Sequence, residues 1–144
     1  MKALSLSRPW TAAIEQHDKR VENRPRWAPH RHLIAQAQRI VGQDLALQSS
    51  GTYDKEGADF VEMLTGERYG RKDTPDKAIT SVVTVSGLLL PGDVPPGGQD
   101  RWYFGSVALV LCNVRVLPQP VPMVGGLGFL ILPPDVLKKV EDQL

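Results

Sequence analysis

The sequence predicts an α+β fold in which strands dominate and helices are peripheral, and three observations carry that reading. The 144 residues include 13 Gly and 12 Pro, a punctuation that implies many turns and short strands. Ala78 to Leu90 and Ser106 to Leu117 alternate in the manner of long strands. Lys55 to Glu67 instead sets Ala58, Val61 and Leu64 at helical spacing, so an amphipathic helix is expected against the sheet. The length suits one domain spanning residues 1–144, with roughly two-thirds of the unfolded surface buried.

In chain order, Ala3-Leu4-Ser5-Leu6-Ser7 reads as a half-buried strand. Ser7 is a candidate N-cap for a short helix over Pro9 to Gln16, with Trp10, Ala13 and Ile14 on one face. His17-Asp18 ends that helix, and Val21 to Arg24 runs extended up to Pro25. Strand parity then puts Glu22 and Arg24 on one side and Val21 and Asn23 on the other, with Lys19 free to turn either way. Pro25 to His32 is a loop, Leu33 to Ala37 a second buried strand, and Asp44 to Gln48 a short helix.

Past the helix at Lys55, Gly70 to Lys77 is an exposed connection. Ala78 to Leu90 is a strand with one apolar and one hydroxyl-rich face, and Ser106 to Leu117 is a strand apolar on both faces and so buried on both. The aromatic triplet Trp102-Tyr103-Phe104 reads as core or lid. Pro118, Pro120 and Pro122 form an extended connection, Leu127 to Leu132 a last strand, and Pro133-Pro134-Asp135 the start of a C-terminal helix to Gln143.

Net charge is +1, but residues 1–40 carry eight basic side chains against three acidic, while the remainder carries nine against thirteen. That asymmetry suits a surface facing nucleic acid, provided the cations also cluster in space. The centre of the basic stretch, Lys19-Arg20-Val21-Glu22-Asn23-Arg24, follows Arg8-Pro9-Trp10 and reads as the wall of a ligand pocket; a surface ion pair of Glu22 with Arg24, contributing about 0 to 1 kcal/mol, is the alternative. Trp27, between Arg26 and Arg31, could stack on a base or close one end of the core.

Cys112 is the only cysteine, which excludes an internal disulfide and a Cys-based zinc site and suggests a small buried hydrophobe in a reducing cytoplasm. His30 and His32 resemble half of a metal site, but His17 is the only other histidine, so neither metal nor cofactor is expected. No apolar stretch has the length of a signal peptide core or a membrane span.

Ser7-Arg8-Pro9-Trp10 followed by Lys19-x-x-Glu22-x-Arg24 resembles the signature of the ASCH domain, Gly-x-Lys-x-x-Glu-x-Arg after a Pro-Trp helix, with His17 in place of the glycine. More loosely, Arg31 to Ala37 is similar to a strand ending Ile-His-Ala, with Gln36 at the histidine. Trp102-x-x-Gly105, Val110 to Leu117 and Pro120 to Gly125 are similar to the family's closing half, where Gly126-Leu127-Gly128-Phe129 replaces Gly-Leu-Trp. The resemblance implies a small PUA-like mixed β-barrel of about five or six strands with peripheral helices. It also implies an RNA or nucleotide ligand held by Arg8, Trp10, Lys19, Glu22, Asn23, Arg24, Arg26 and Trp27.

Some relatives in that family are hydrolases, either metal-requiring ribonucleases or amidohydrolases of N4-acetylcytidine. In such an enzyme Lys19 would serve as base and Glu22 as proton shuttle. The amidohydrolase branch carries Lys-x-x-Thr where this chain has Lys19-Arg20-Val21-Glu22, so the hydroxyl nucleophile is missing.

Overall fold

A computed structural model describes all residues from Met1 to Leu144. Six strands, β1 (Lys2–Arg8), β2 (Val21–Asn23), β3 (Asp44–Tyr53), β4 (Ala78–Leu89), β5 (Ala108–Pro122) and β6 (Phe129–Ile131), form one mixed sheet in the order β2-β5-β4-β3-β1-β6. Only β1 and β3 run parallel; every other pair is antiparallel. The sheet curls into a half-barrel and carries four helices: α1 (Trp10–Gln16), α2 (Arg31–Ile40), α3 (Lys55–Thr65) and α4 (Pro134–Glu141). None of the helices is long and apolar enough to cross a membrane.

The concave side is filled by Leu4, Leu6, Leu45, Leu47, Val83, Val85, Leu109 and Leu111 from the strands, sealed by Ile14 of α1, Ala37 and Ile40 of α2, and Trp27. A second cluster lies on the opposite side, where Ala3, Ala46, Ile79, Val82, Leu117 and Val121 meet Val136 and Val140 of α4. A third joins Ala12, Ala13, Val21, Val61 and Trp102 where α1 and α3 pack.

Local chemistry sets several ends. Asp54 caps α3, its side chain accepting from the Gly57 N–H at 2.9 Å, and Gly66 closes the helix in the left-handed region at φ +80°. α1 has no such cap: Pro9 rather than Ser7 stands at its N-cap position, and no side chain bonds its first turn.

Four expectations are corrected. Leu33 to Ala37 is helical, the middle of α2, because Leu33, Ala37 and Ile40 share a face that packs into the core. Asp44 to Gln48 is strand, the start of β3, held between β1 and β4 by pairing on both sides. Bulges between Ile79 and Ser81 and between Val82 and Thr84 switch the faces of β4, so Ile79 and Val82 go to the α4 side while Val83 and Val85 go to the concave core; both faces are buried and the apolar/hydroxyl division fails.

The fourth concerns β5. β2 covers only Ala108 to Val110 of its outer edge, so Cys112, Asn113 and Val116 are exposed rather than buried, and Cys112 is no core residue. The supposed connection Pro118 to Pro122 is the tail of β5, in which the Gln119 N–H donates to Gln143 Oε1 at 2.8 Å.

A candidate ligand site at the seam of the half-barrel

β2 is one edge of the sheet. β6 forms the other edge but covers only Lys2 to Leu4 of β1, so from Ser5 onward β1 presents free backbone groups. Arg24, just past β2, spans this gap: its NH2 group donates to the Ser5 carbonyl at 2.7 Å. One side chain thus bridges the two ends of the curled sheet.

Strand parity brings Glu22 to the same side as Arg24. Glu22 Oε2 lies 3.1 Å from Arg24 NH2, and Glu22 Oε1 accepts from Lys19 Nζ at 3.1 Å. The Lys19 side chain is 1% exposed, that of Glu22 9% and that of Arg24 21%, so Arg24 alone of the three reaches solvent to any extent. Lys19 also donates to the Val21 carbonyl. Burial lowers the Lys19 pKa from its ordinary value of 10.5, and the Glu22 carboxylate works in the opposite direction.

Aromatic faces flank both cations. Lys19 Nζ lies 5.2 Å from the Trp10 ring centroid and the Arg24 guanidinium 5.6 Å from that of Trp27. Trp10 is fixed by its Nε1–H donating to Asp54 at 3.1 Å, and Trp27 packs on Phe129, ring centroids 5.3 Å apart. The sequence alternatives for these residues resolve geometrically. Glu22 and Arg24 form a largely buried ion pair rather than an exposed one, and Trp27 closes the core, offering Arg24 one face.

The remaining sequence candidates point elsewhere. Arg8 is buried and spends its guanidinium on the carbonyls of Ser50, Gly51 and Arg71. Asn23 faces away and holds the loop before β5, donating to the Trp102 carbonyl at 2.8 Å and accepting from the Phe104 N–H at 3.1 Å. Arg26 is exposed beside the seam. His30 and His32 lie edge to face, and no group of three or more His, Cys, Asp or Glu side chains converges anywhere in the chain.

Three groups at the seam escaped the sequence reading. Ser5 offers its carbonyl to Arg24 and its Oγ to the Gly126 N–H at 3.1 Å. Gln48 is fully buried; its Nε2 donates to the Met123 carbonyl at 2.8 Å while its Oε1 has no partner. Gly125 closes over both, and a Cβ there would stand 2.5 Å from Gln48 Oε1 and from Ser5 Oγ. The one available signal was the serine alternating with leucines in β1; Gln48 was hidden by its assignment to a helix.

No family model matches the sequence, and no curated protein matches it either. Solved structures do match. The ASCH protein of Zymomonas mobilis superposes with a TM-score of 0.52 at 10% identity, over 98% of this chain and 93% of that one. A point mutant of the same protein gives 0.52 at 12% identity, over 98% and 94%. At such identity the likeness speaks to architecture, and it spans nearly the full length of both chains: this protein has the ASCH domain fold.

Proposed function

We propose that this chain binds RNA, or a nucleotide-sized part of it, at the seam between β2 and β1. The observation that carries the reading is a charge imbalance in a water-poor place: two cations, Lys19 and Arg24, share one carboxylate, Glu22. Buried charges are normally paired, so the surplus positive charge suits an anion, and Arg24 keeps a buried Nε–H without a partner. A guanidinium suits a phosphate, and the Trp10 and Trp27 rings furnish apolar walls beside it. Glu22, with both oxygens engaged, positions the two cations rather than meeting the ligand itself.

The test is a titration of wild type and Lys19→Met with RNA and with a nucleoside monophosphate at several salt concentrations. Lys19 is too buried to touch the ligand, so the variant removes the surplus positive charge behind Arg24 rather than a direct bond, and anion binding is expected to weaken about tenfold. Unchanged affinity in the variant would remove the seam as the ligand site.

A hydrolytic reading is favoured by one observation, the lowered pKa of Lys19 beside Glu22, which is what a general base requires. The same samples, with and without divalent metal, are to be assayed for RNA cleavage and for loss of acetyl from N4-acetylcytidine. Turnover that disappears in Lys19→Met supports the enzyme; a salt-sensitive complex without turnover supports the binding module.

A further inference from the structure

Residues 23–43, which run from the end of β2 through the turn at Pro25–Trp27 and along α2, contain no Asp or Glu. Arg26 precedes α2, Arg31 and Arg39 lie on it, and Lys2 sits beside it at the start of β1; all four are exposed and none joins an ion pair. Elsewhere some exposed cations are neutralised, as Arg68 is by Asp59 and Glu62 and Lys138 by Asp142, while Arg71, Lys72, Lys77, Arg101 and Lys139 are also unpaired; what sets residues 23–43 apart is that no carboxylate lies among them.

The arrangement on α2 is periodic. His32, Gln36 and Arg39 follow the i, i+4, i+7 spacing of one helix face, and Gln43 continues it beyond the helix end. Lys2, Gln36, Arg39 and Gln43 together line a depression of about 100 Å³. The opposite face carries Leu33, Ala37 and Ile40 into the core. Leu33 is also the side chain that a Cβ on Gly128 would touch, at 3.8 Å, in the loop leading to Phe129 and Trp27. The helix therefore starts at the mouth of the seam and runs about 15 Å away from it.

We infer that the polar face of α2, with Lys2, is a track for the phosphodiester backbone of a single-stranded RNA whose terminal or flipped nucleotide occupies the seam. This rests on the reading of the seam as a nucleotide site and extends it, since the ligand becomes a polynucleotide rather than a free nucleoside. Charge complementarity supports it: a row of unpaired cations and amide donors suits a repeating monoanion, and no carboxylate within residues 23–43 competes for it. A lipid surface suits it poorly. A membrane-bound amphipathic helix keeps its apolar face for the acyl chains, and that face of α2 is committed to the core.

The experiment compares wild type, Arg31→Gln/Arg39→Gln and Lys19→Met, each first checked for an unchanged fold by circular dichroism. Three probes are used: an oligocytidylate of about 12 nucleotides, within the 4–16 that small single-strand binding folds engage, cytidine 5′-monophosphate, and vesicles containing phosphatidylserine. In the arginine double variant, oligonucleotide affinity is expected to fall about tenfold or more. The salt slope should shrink by about 1.4, since each single-strand phosphate contact contributes about 0.7. Mononucleotide affinity should stay the same.

An arginine double variant that binds the oligonucleotide like wild type, with the same slope, overturns the track while leaving the seam intact. If Lys19→Met leaves mononucleotide binding untouched while the arginine variant weakens the oligonucleotide, the track stands and the seam reading falls. Wild type that holds neither nucleotide probe, or that holds only the vesicles, overturns both.

Discussion

Replacing Glu22 by Gln removes the carboxylate shared by Lys19 and Arg24 while preserving its shape. Lys19 is then a buried ammonium with only a carbonyl and an aromatic face for company. Breaking a buried pair from one side typically costs about 3–5 kcal/mol, because the stranded charge remains. At about 2–4 °C per kcal/mol for a chain of this size, the melting temperature should fall on the order of 6–20 °C.

Lys19→Met is expected to be far milder, within about 1.5 kcal/mol of wild type, because Glu22 keeps Arg24 and the desolvated ammonium is gone. The double variant should recover much of the Glu22→Gln loss, giving a coupling of about 1.5–3 kcal/mol. Urea and thermal unfolding of the four proteins measure the cycle. Additivity within about 0.5 kcal/mol would refute the ion-pair reasoning. The pH dependence supplies a second readout. The Lys19 pKa is lower in the folded state than its ordinary 10.5, so the unfolded chain holds more protons in that range. Wild type should therefore gain on Lys19→Met as pH rises toward 10.5.

Asn23→Ala should cost about 1–3 kcal/mol through the two bonds that tie down Trp102 and Phe104, read as a shift in urea midpoint. Gly125→Ala forces a Cβ against Gln48 and Ser5 and should cost about 1–3 kcal/mol, with faster amide exchange at Gly126 as the local sign; an unaltered exchange rate there would mean that the loop does not rest on Ser5. Burial raises the Glu15 pKa above 4.5, although Thr80 donates to its carboxylate at 2.6 Å. The folded state thus holds the extra proton, and stability should decline as pH rises from 4.5 through the raised value. Glu15→Gln should flatten that decline and raise the melting temperature at neutral pH.

How far the sequence could be read depended on whether local pattern and long-range pairing agreed. α3 was legible because helical spacing and a buried face coincide at Ala58 and Val61, and α4 because Pro134 and Asp135 open it and Val136 and Val140 are buried together. Leu33 to Ala37 was misassigned because a five-residue segment with four apolar residues fits either period, and only the packing of Leu33, Ala37 and Ile40 on the core chooses helix. Asp44 to Gln48 consists largely of good helix formers, and its strand state comes from neighbours on both sides, β1 and β4, that no local window contains.

The candidate site divides similarly. Parity was enough to bring Glu22 and Arg24 together, whereas the direction of Lys19 was open in the sequence and is set by its bonds to Glu22 and the Val21 carbonyl. Ser5, Gln48 and Gly125 meet only because the sheet brings strand, strand and loop from distant parts of the chain to one spot. Arg8 was misleading because an arginine next to the motif satisfies backbone carbonyls as readily as it would a ligand.

The tail of β5 has a consequence for how copies of this protein meet. Sheets grow when an incoming strand finds bare amide donors, and along 118–120 two residues are imino acids while the third has its amide occupied by Gln143. That border of the molecule is chemically blunt: a neighbour trying to extend the sheet there finds no free amide donor along residues 118–120, only carbonyl acceptors, so it can form at most half of a ladder and crowding knits these domains together less readily along it.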